Sequence, residues 1–228
     1  MLSVIIPVYN EKNTILEIIK KIETNKIKKE IIIVDDCSTD GTREILQNIT
    51  NHKILFHDKN LGKGAAIKSA KKKIDGEIVV IQDADLEYDP NDYQKLIEPI
   101  YRNEVEVVYG SRVLGSNRYL MQNFSSVYRI FFNHMLTILS NLINKQSLTD
   151  AHTCYKTFST KVFNSIDLEE NDFSFCPEIT TKIALKKIKI KEVKIDYNGR
   201  SYKEGKKIKL SDGIKAIKTL FKYRYFKR

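Results

Sequence analysis

Proline and glycine are scarce in this 228-residue chain, at 4 and 9 residues, and no stretch is low in complexity or repeats at a fixed period. Collagen-like, disordered and solenoid architectures are thereby excluded, and no linker divides the chain. Cysteine is rarer still. Cys37, Cys154 and Cys176 are odd in number, far apart and without CxxC spacing or a histidine-rich partner set, so the thiols are read as reduced, buried and inert. No apolar run approaches the roughly 18 residues of a membrane span, and the chain enters a strand at once, without a basic leader and a small-residue cleavage site. The expectation is a cytoplasmic protein forming one compact domain over residues 1–228.

Positive charge is abundant, with a formal net charge of +10. A concentrated basic face is the footprint of phosphate-backbone binding. Here the lysines are spread along the chain among many isoleucines and asparagines, so no nucleic-acid partner is expected. A basic face toward anionic lipid or a phosphorylated substrate fits better.

The chain turns on residues 78–87, where the apolar run Ile78-Val79-Val80-Ile81 stops in Asp83, Asp85 and Glu87. A short β-branched run reads as a buried parallel strand, and open α/β sheets bind ligands beyond the carboxyl ends of such strands. Residues two apart on an extended backbone point the same way, so Asp83 and Asp85 can aim at one point with Glu87 close behind. Carboxylates so placed suit a hard divalent cation such as Mg2+, whose other positions go to water and substrate phosphate.

Similar units precede this stretch. Residues 3–8 read as a strand followed by Tyr9-Asn10-Glu11, with Asn10 capping a helix over 11–23 whose stripe is Ile15, Leu16, Ile18, Ile19 and Ile22. A second strand, 30–34, ends in Asp35-Asp36 before a helix over 42–48, with turn chemistry and hydrogen bonding to a base or ribose both open for these acids. A third strand, 53–56, leads to Gly62-Lys63-Gly64, where the glycines permit close backbone approach and Lys63 lies on the ligand side. A helix over 90–103 and a strand over 105–110, ending at Ser111-Arg112, complete a doubly wound sheet. The second half is less regular. Residues 117–144 carry many aromatics and aliphatics, read first as core packing over the sheet, with a lipid-contacting groove as the alternative. An edge strand over 189–197, a basic loop over 198–207 and an amphipathic helix over 210–223 follow.

Taken in order, Pro7-Val8-Tyr9-Asn10-Glu11, Asp35-Asp36-Cys37-Ser38-Thr39-Asp40-Gly41, Gly62-Lys63-Gly64 and Asp83-Ala84-Asp85 resemble family 2 glycosyltransferases. Gly110-Ser111-Arg112, Thr149-Asp150, Cys154-Tyr155-Lys156, Cys176-Pro177-Glu178 and the basic loop around Arg200 and Lys206 are similar to the branch containing dolichyl-phosphate mannose synthase and bactoprenol glucosyltransferases. The resemblance implies a GT-A fold, with residues 1–112 as nucleotide-sugar half and 113–228 as acceptor half. It implies inverting, metal-dependent transfer from a UDP- or GDP-sugar to a polyprenyl phosphate. Pro7, Tyr9, Glu11 and Asp36 match positions holding base and ribose, and Asp83 and Asp85 match the DxD pair, with Glu87 near the metal. Arg112 matches a position near the acceptor phosphate, and Arg200 with Lys206 matches a loop closing over the diphosphate, toward which Lys63 also points.

If the acceptor is instead a saccharide hydroxyl, a carboxylate must take its proton, and Asp150 is the candidate. A non-catalytic nucleotide-sugar-binding subunit remains a further alternative. Relatives of this branch often carry membrane helices, whereas residues 210–228 form a basic, aromatic-tipped segment. That segment implies peripheral attachment at the inner membrane face, as a homo-oligomer or with a membrane partner subunit.

Overall fold

The computed structural model describes residues 1–115, 127–200 and 210–227. Lys206 and most of the basic loop lie outside the described residues. Strands β1 (Leu2–Val8), β2 (Lys29–Asp35), β3 (Lys53–Phe56) and β4 (Ile78–Ile81) alternate with helices α1 (Ile15–Thr24), α2 (Thr42–Gln47) and α3 (Lys63–Lys71). Helix α4 (Tyr93–Tyr101) leads to β5 (Val107–Ser111) and α5 (Val127–Asn144). Then come β6 (Lys156–Ser159), α6 (Thr160–Ser165), α7 (Phe175–Leu185), β7 (Ile190–Lys194) and α8 (Leu210–Phe221), the last extended by a π turn over Lys222–Phe226.

The strands form one 7-stranded sheet in the order β3-β2-β1-β4-β6-β5-β7. Only β6 runs against its neighbours, pairing antiparallel with both β4 and β5. The order reverses between β1 and β4, whose carboxyl ends therefore open a crevice. Alternation along β1 feeds two cores: Val4 and Ile6 pack with α1 and α4 on one face, and Ile5 packs with α3 and α7 on the other. Helix α1 is held by Ile15, Ile18, Ile19 and Ile22, each burial stabilising by about 1.5–3 kcal/mol.

Three sequence expectations need correction. Asn10 does not cap α1, because it takes φ 50° and its side chain accepts the Thr39 N–H at 2.8 Å; the helix starts at Ile15. Strand β6 was not expected, since four residues buried between two strands carry no alternation that marks them off from the turn before them. The stripe Phe131, Phe132, Met135, Ile138 and Leu142 of α5 faces outward rather than into the core.

Candidate active site

Charged side chains gather at the carboxyl ends of β1, β4 and β5. Beyond β4, the Asp83 carboxylate is ion-paired with Lys63 at the start of α3, and the same ammonium reaches Cys154 Sγ at 3.0 Å. Burial works against that charge, but Asp83 and the nearby thiols hold the Lys63 pKa well above its usual range. Asp85 lies 3.3 Å from Arg200. Its own burial, then the facing charges of Asp83 and Glu87, push its carboxyl up to about 7 despite the arginine.

Arg200 is the hub of this cluster. Its guanidinium donates to both Glu11 oxygens at 3.0 Å, and its backbone N–H donates to Glu87 Oε1 at 2.8 Å. Glu11 also accepts from Thr14 Oγ1 at 2.8 Å. Glu87 further accepts the Tyr197 hydroxyl at 2.8 Å, so its carboxylate is turned to the Arg200 segment. Among the described residues no three acidic, histidine or cysteine side chains converge as a metal cage, and Glu87 is engaged by Arg200 and Tyr197 beside Asp83 and Asp85.

Asp83 and Asp85, with Glu87 close behind, fit a hard divalent cation of the kind that keeps water and phosphate ligands. The chemistry of this donor set suits such an ion, since a carboxyl raised to about 7 by burial and by facing carboxylates is one that a divalent cation would ionise. Tyr9 stands 36% exposed at the end of β1, beyond Pro7, as a stacking surface for a base would.

Asp36 is engaged inside the protein. It accepts the backbone N–H groups of Leu61 at 2.9 Å and Gly62 at 2.7 Å, and its Oδ1 lies 2.7 Å from His57 Nδ1. It thus ties the loop before α3 to β2. The close approach that the glycines permit there is to the chain's own backbone. A Cβ at Gly62 (φ +98°) would meet Asn171 O at 2.5 Å, and one at Gly64 would meet Glu170 O at 2.4 Å. Buried Glu178 holds that opposing backbone by accepting the N–H groups of Glu169 and Glu170 at 2.7 and 2.9 Å.

At the end of β5, Arg112 and Asp150 form a bidentate buried pair, with Nε to Oδ2 at 2.7 Å and a terminal nitrogen to Oδ1 at 2.8 Å. Burial would raise the Asp150 pKa, yet Arg112 holds it below the ordinary carboxylate range. Tyr197 joins this pair to the cluster at the end of β4, its ring 5.1 Å from the guanidinium and its hydroxyl on Glu87. Tyr88 packs between Tyr155 and Tyr197 at centroid distances of 4.8 and 5.2 Å. Tyr197, Thr14, His57, Cys154 and Tyr88 are participants that sequence reasoning missed. Tyr197 sits in a stretch whose alternation announced only a strand. The cysteines are free thiols, with Cys37 and Cys154 partly exposed rather than buried.

The fold is that of the GT-A glycosyltransferases. The structure matches a crystal structure of glucosyl-3-phosphoglycerate synthase from Mycobacterium tuberculosis in complex with Mn2+, uridine-diphosphate and phosphoglyceric acid. The TM-score is 0.74 at 18% identity, over 99% of this chain and 78% of that one. The profile of glycosyl transferase family 2 matches residues 3–167, and the chain belongs to that family. Among curated relatives, the low-salt glycan biosynthesis hexosyltransferase Agl6 of Haloferax volcanii is 28% identical over 203 residues, covering 87% of this chain and 48% of the relative. The dolichyl-phosphate beta-glucosyltransferase ALG5D of Trichomonas vaginalis is 26% identical over 252 residues, covering 99% and 73%. The chain thus spans about half the length of the first of these.

Proposed function

We propose that this chain is an inverting glycosyltransferase that moves a sugar from a UDP- or GDP-sugar to a polyprenyl phosphate, with Mg2+ or Mn2+ as cofactor. The family and the named relatives support the reaction class. The observation that carries the choice of acceptor is the Arg112–Asp150 pair. A carboxylate bonded on both oxygens and held at low pKa is a poor general base. A lipid phosphate is already ionised near neutral pH and asks for no base. In this reading Asp150 is a positioning residue that presents the Arg112 guanidinium to the acceptor oxyanion.

On the donor side, Pro7 and Tyr9 bound the base, while Asp83 and Asp85 hold the cation. A bound divalent cation supplies positive charge against the departing diphosphate. Lys63 and Arg200 add fixed cations to the same region, and Arg200 exchanges carboxylate partners for phosphate oxygens as the donor enters. Lys206 belongs to the same basic loop. The acceptor places the enzyme at a membrane surface, and no helix among the described residues is long and apolar enough to cross one. Basic, aromatic α8 is suited to peripheral attachment there.

The test is turnover of a panel of UDP- and GDP-sugars with polyprenyl phosphate and Mn2+ or Mg2+, for the wild type and Asp85→Ala. Metal-dependent formation of a glycosyl-phosphoryl lipid, lost in the variant, is expected. Donor binding without transfer to lipid, but with transfer to a saccharide hydroxyl that depends on Asp150, would overturn the acceptor assignment.

A further inference from the structure

Helix α5 turns most of its large apolar residues outward. Its buried side carries Thr137, Ser140 and Asn144 beside Ile130 and Ile143, while Phe131, Met135, Ile138 and Leu142 are 49, 47, 40 and 74% exposed. These apolar residues recur at helical spacing, and residues 127–144 include no acid. A helix facing water shows the opposite arrangement. Helix α8 packs against α5 and repeats the feature, with Ile214, Ile217, Phe221 and Tyr225 exposed along one side. Outward apolar stripes on two neighbouring helices mark a surface that meets something other than water.

A cavity of about 840 Å3 opens at the end of α5, walled by the end of α7 and the start of β7. Lys145, Lys187, Lys189 and Arg224 line it, and the only acid of its lining among the described residues, Glu192, is occupied by the N–H groups of Thr149 and Asp150. The lining also includes Asn144 and Gln146, whose Oδ1 and Oε1 are buried without a partner. Asn144 is 4% exposed and its amide nitrogen faces the Ser140 and Thr181 hydroxyls, so either orientation of the amide leaves a polar atom unmatched. Cations together with unmatched amide oxygens suit an anion that also carries hydroxyl donors. Leu142 stands three residues before Lys145, and Tyr225 and Phe226 directly follow Arg224, so exposed apolar residues adjoin cavity-lining ones along the chain.

We propose that this end of the molecule is an anionic-phospholipid site. The stripes of α5 and α8 enter the apolar layer of a bilayer, and the basic cavity takes a phosphodiester headgroup bearing hydroxyls. A second copy of the chain fits poorly, because a twofold contact here would bring like-charged cavity rims together. Glu192 joins the cavity wall to the turn that carries Asp150, so headgroup binding and the Arg112–Asp150 pair share one segment.

The full chain is sedimented with vesicles of phosphatidylcholine alone or mixed with phosphatidylglycerol, with free glycerophosphate as the soluble competitor. Wild type is expected to bind the mixed vesicles only. Lys187→Gln with Lys189→Gln should weaken that binding about fivefold per lysine. Met135→Gln with Leu142→Gln should abolish it while leaving the melting temperature unchanged. Equal binding by the lysine variant would remove the cavity from the proposal, and equal binding by the stripe variant would remove the face. Competition by glycerophosphate at the affinity of the vesicles would reassign the cavity to a free phosphate. A dimer in lipid-free solution that the stripe variant breaks would reassign the face to a second copy. No donor sugar or turnover enters this measurement, so its failure leaves the transferase reading standing.

Discussion

The two charged clusters of this protein lie at neighbouring strand ends and are built on opposite principles. At the end of β5, Arg112 and Asp150 cancel each other with near-ideal geometry. At the end of β4, the carboxylates of Glu11, Asp83, Asp85 and Glu87 outnumber the cations Lys63 and Arg200, and burial together with the facing charges of Asp83 and Glu87 pushes Asp85 up to about 7. A balanced buried pair defines a position and resists change. An unbalanced one stores repulsion that a ligand relieves, as expected where binding is the task. Under the proposed function, a cation and a diphosphate relieve the β4 cluster, whereas the β5 pair is preorganised.

The largest expected effect sharpens this contrast. Asp85→Asn should lower metal-dependent transfer by about 10²–10³, the scale of losing one electrostatic stabiliser of the departing charge. The same change removes a charge from a crowded set, so the melting temperature of the ligand-free protein should hold steady or rise. A clear fall in melting temperature would mean that the β4 cluster is structural like its neighbour.

Next in size is Arg112→Met, which leaves Asp150 buried and uncompensated and should destabilise the fold by about 3–5 kcal/mol in urea unfolding. Adding Asp150→Leu should recover most of the stability and none of the transfer to a lipid phosphate. Recovery of transfer in the double variant would break the assignment of Arg112 to the acceptor.

The smallest effect concerns pH and the turn behind the pair. Burial lowers the His152 pKa from 6.5 to about 4, with nearby Lys156 adding to the shift, and its Nε2 is buried without a partner. The unfolded chain therefore takes up a proton that the folded one refuses. Stability from this group is full above pH 6.5 and falls away as the pH drops toward 4, by up to about 3 kcal/mol. Unfolding curves of His152→Gln should show a shallower acid loss over that window. An unchanged slope would show that the turn relaxes to hydrate the ring.

Helices α1 and α5 show how far periodicity carries. Ile15, Ile18, Ile19 and Ile22 lie inward as their spacing demands, because α1 divides sheet from water. The stripe of α5 has equally clear spacing and lies outward, since Thr137 finds a polar partner in the turn over Ala151, Asn144 finds one in α7, and Ser140 pairs with Asn144. Periodicity tells that a helix has two sides. It does not tell which side meets the protein.

The chain's local order determined the parallel βα units, the crevice at their carboxyl ends, and Asp83, Asp85, Lys63 and Arg112 as chemistry placed there. These follow from spacing along one strand or one turn, where geometry is set by neighbouring residues. Only the tertiary structure decided that antiparallel β6 enters between β4 and β5, that Glu87 and Glu11 answer to Arg200, and that Asp150 is locked to Arg112. Arg200 and Glu11 are 189 positions apart. Contacts over such separations depend on how elements pack, and an unpaired carboxylate in the sequence looks the same whether its partner proves to be a metal, an acceptor or an arginine from the far end of the chain.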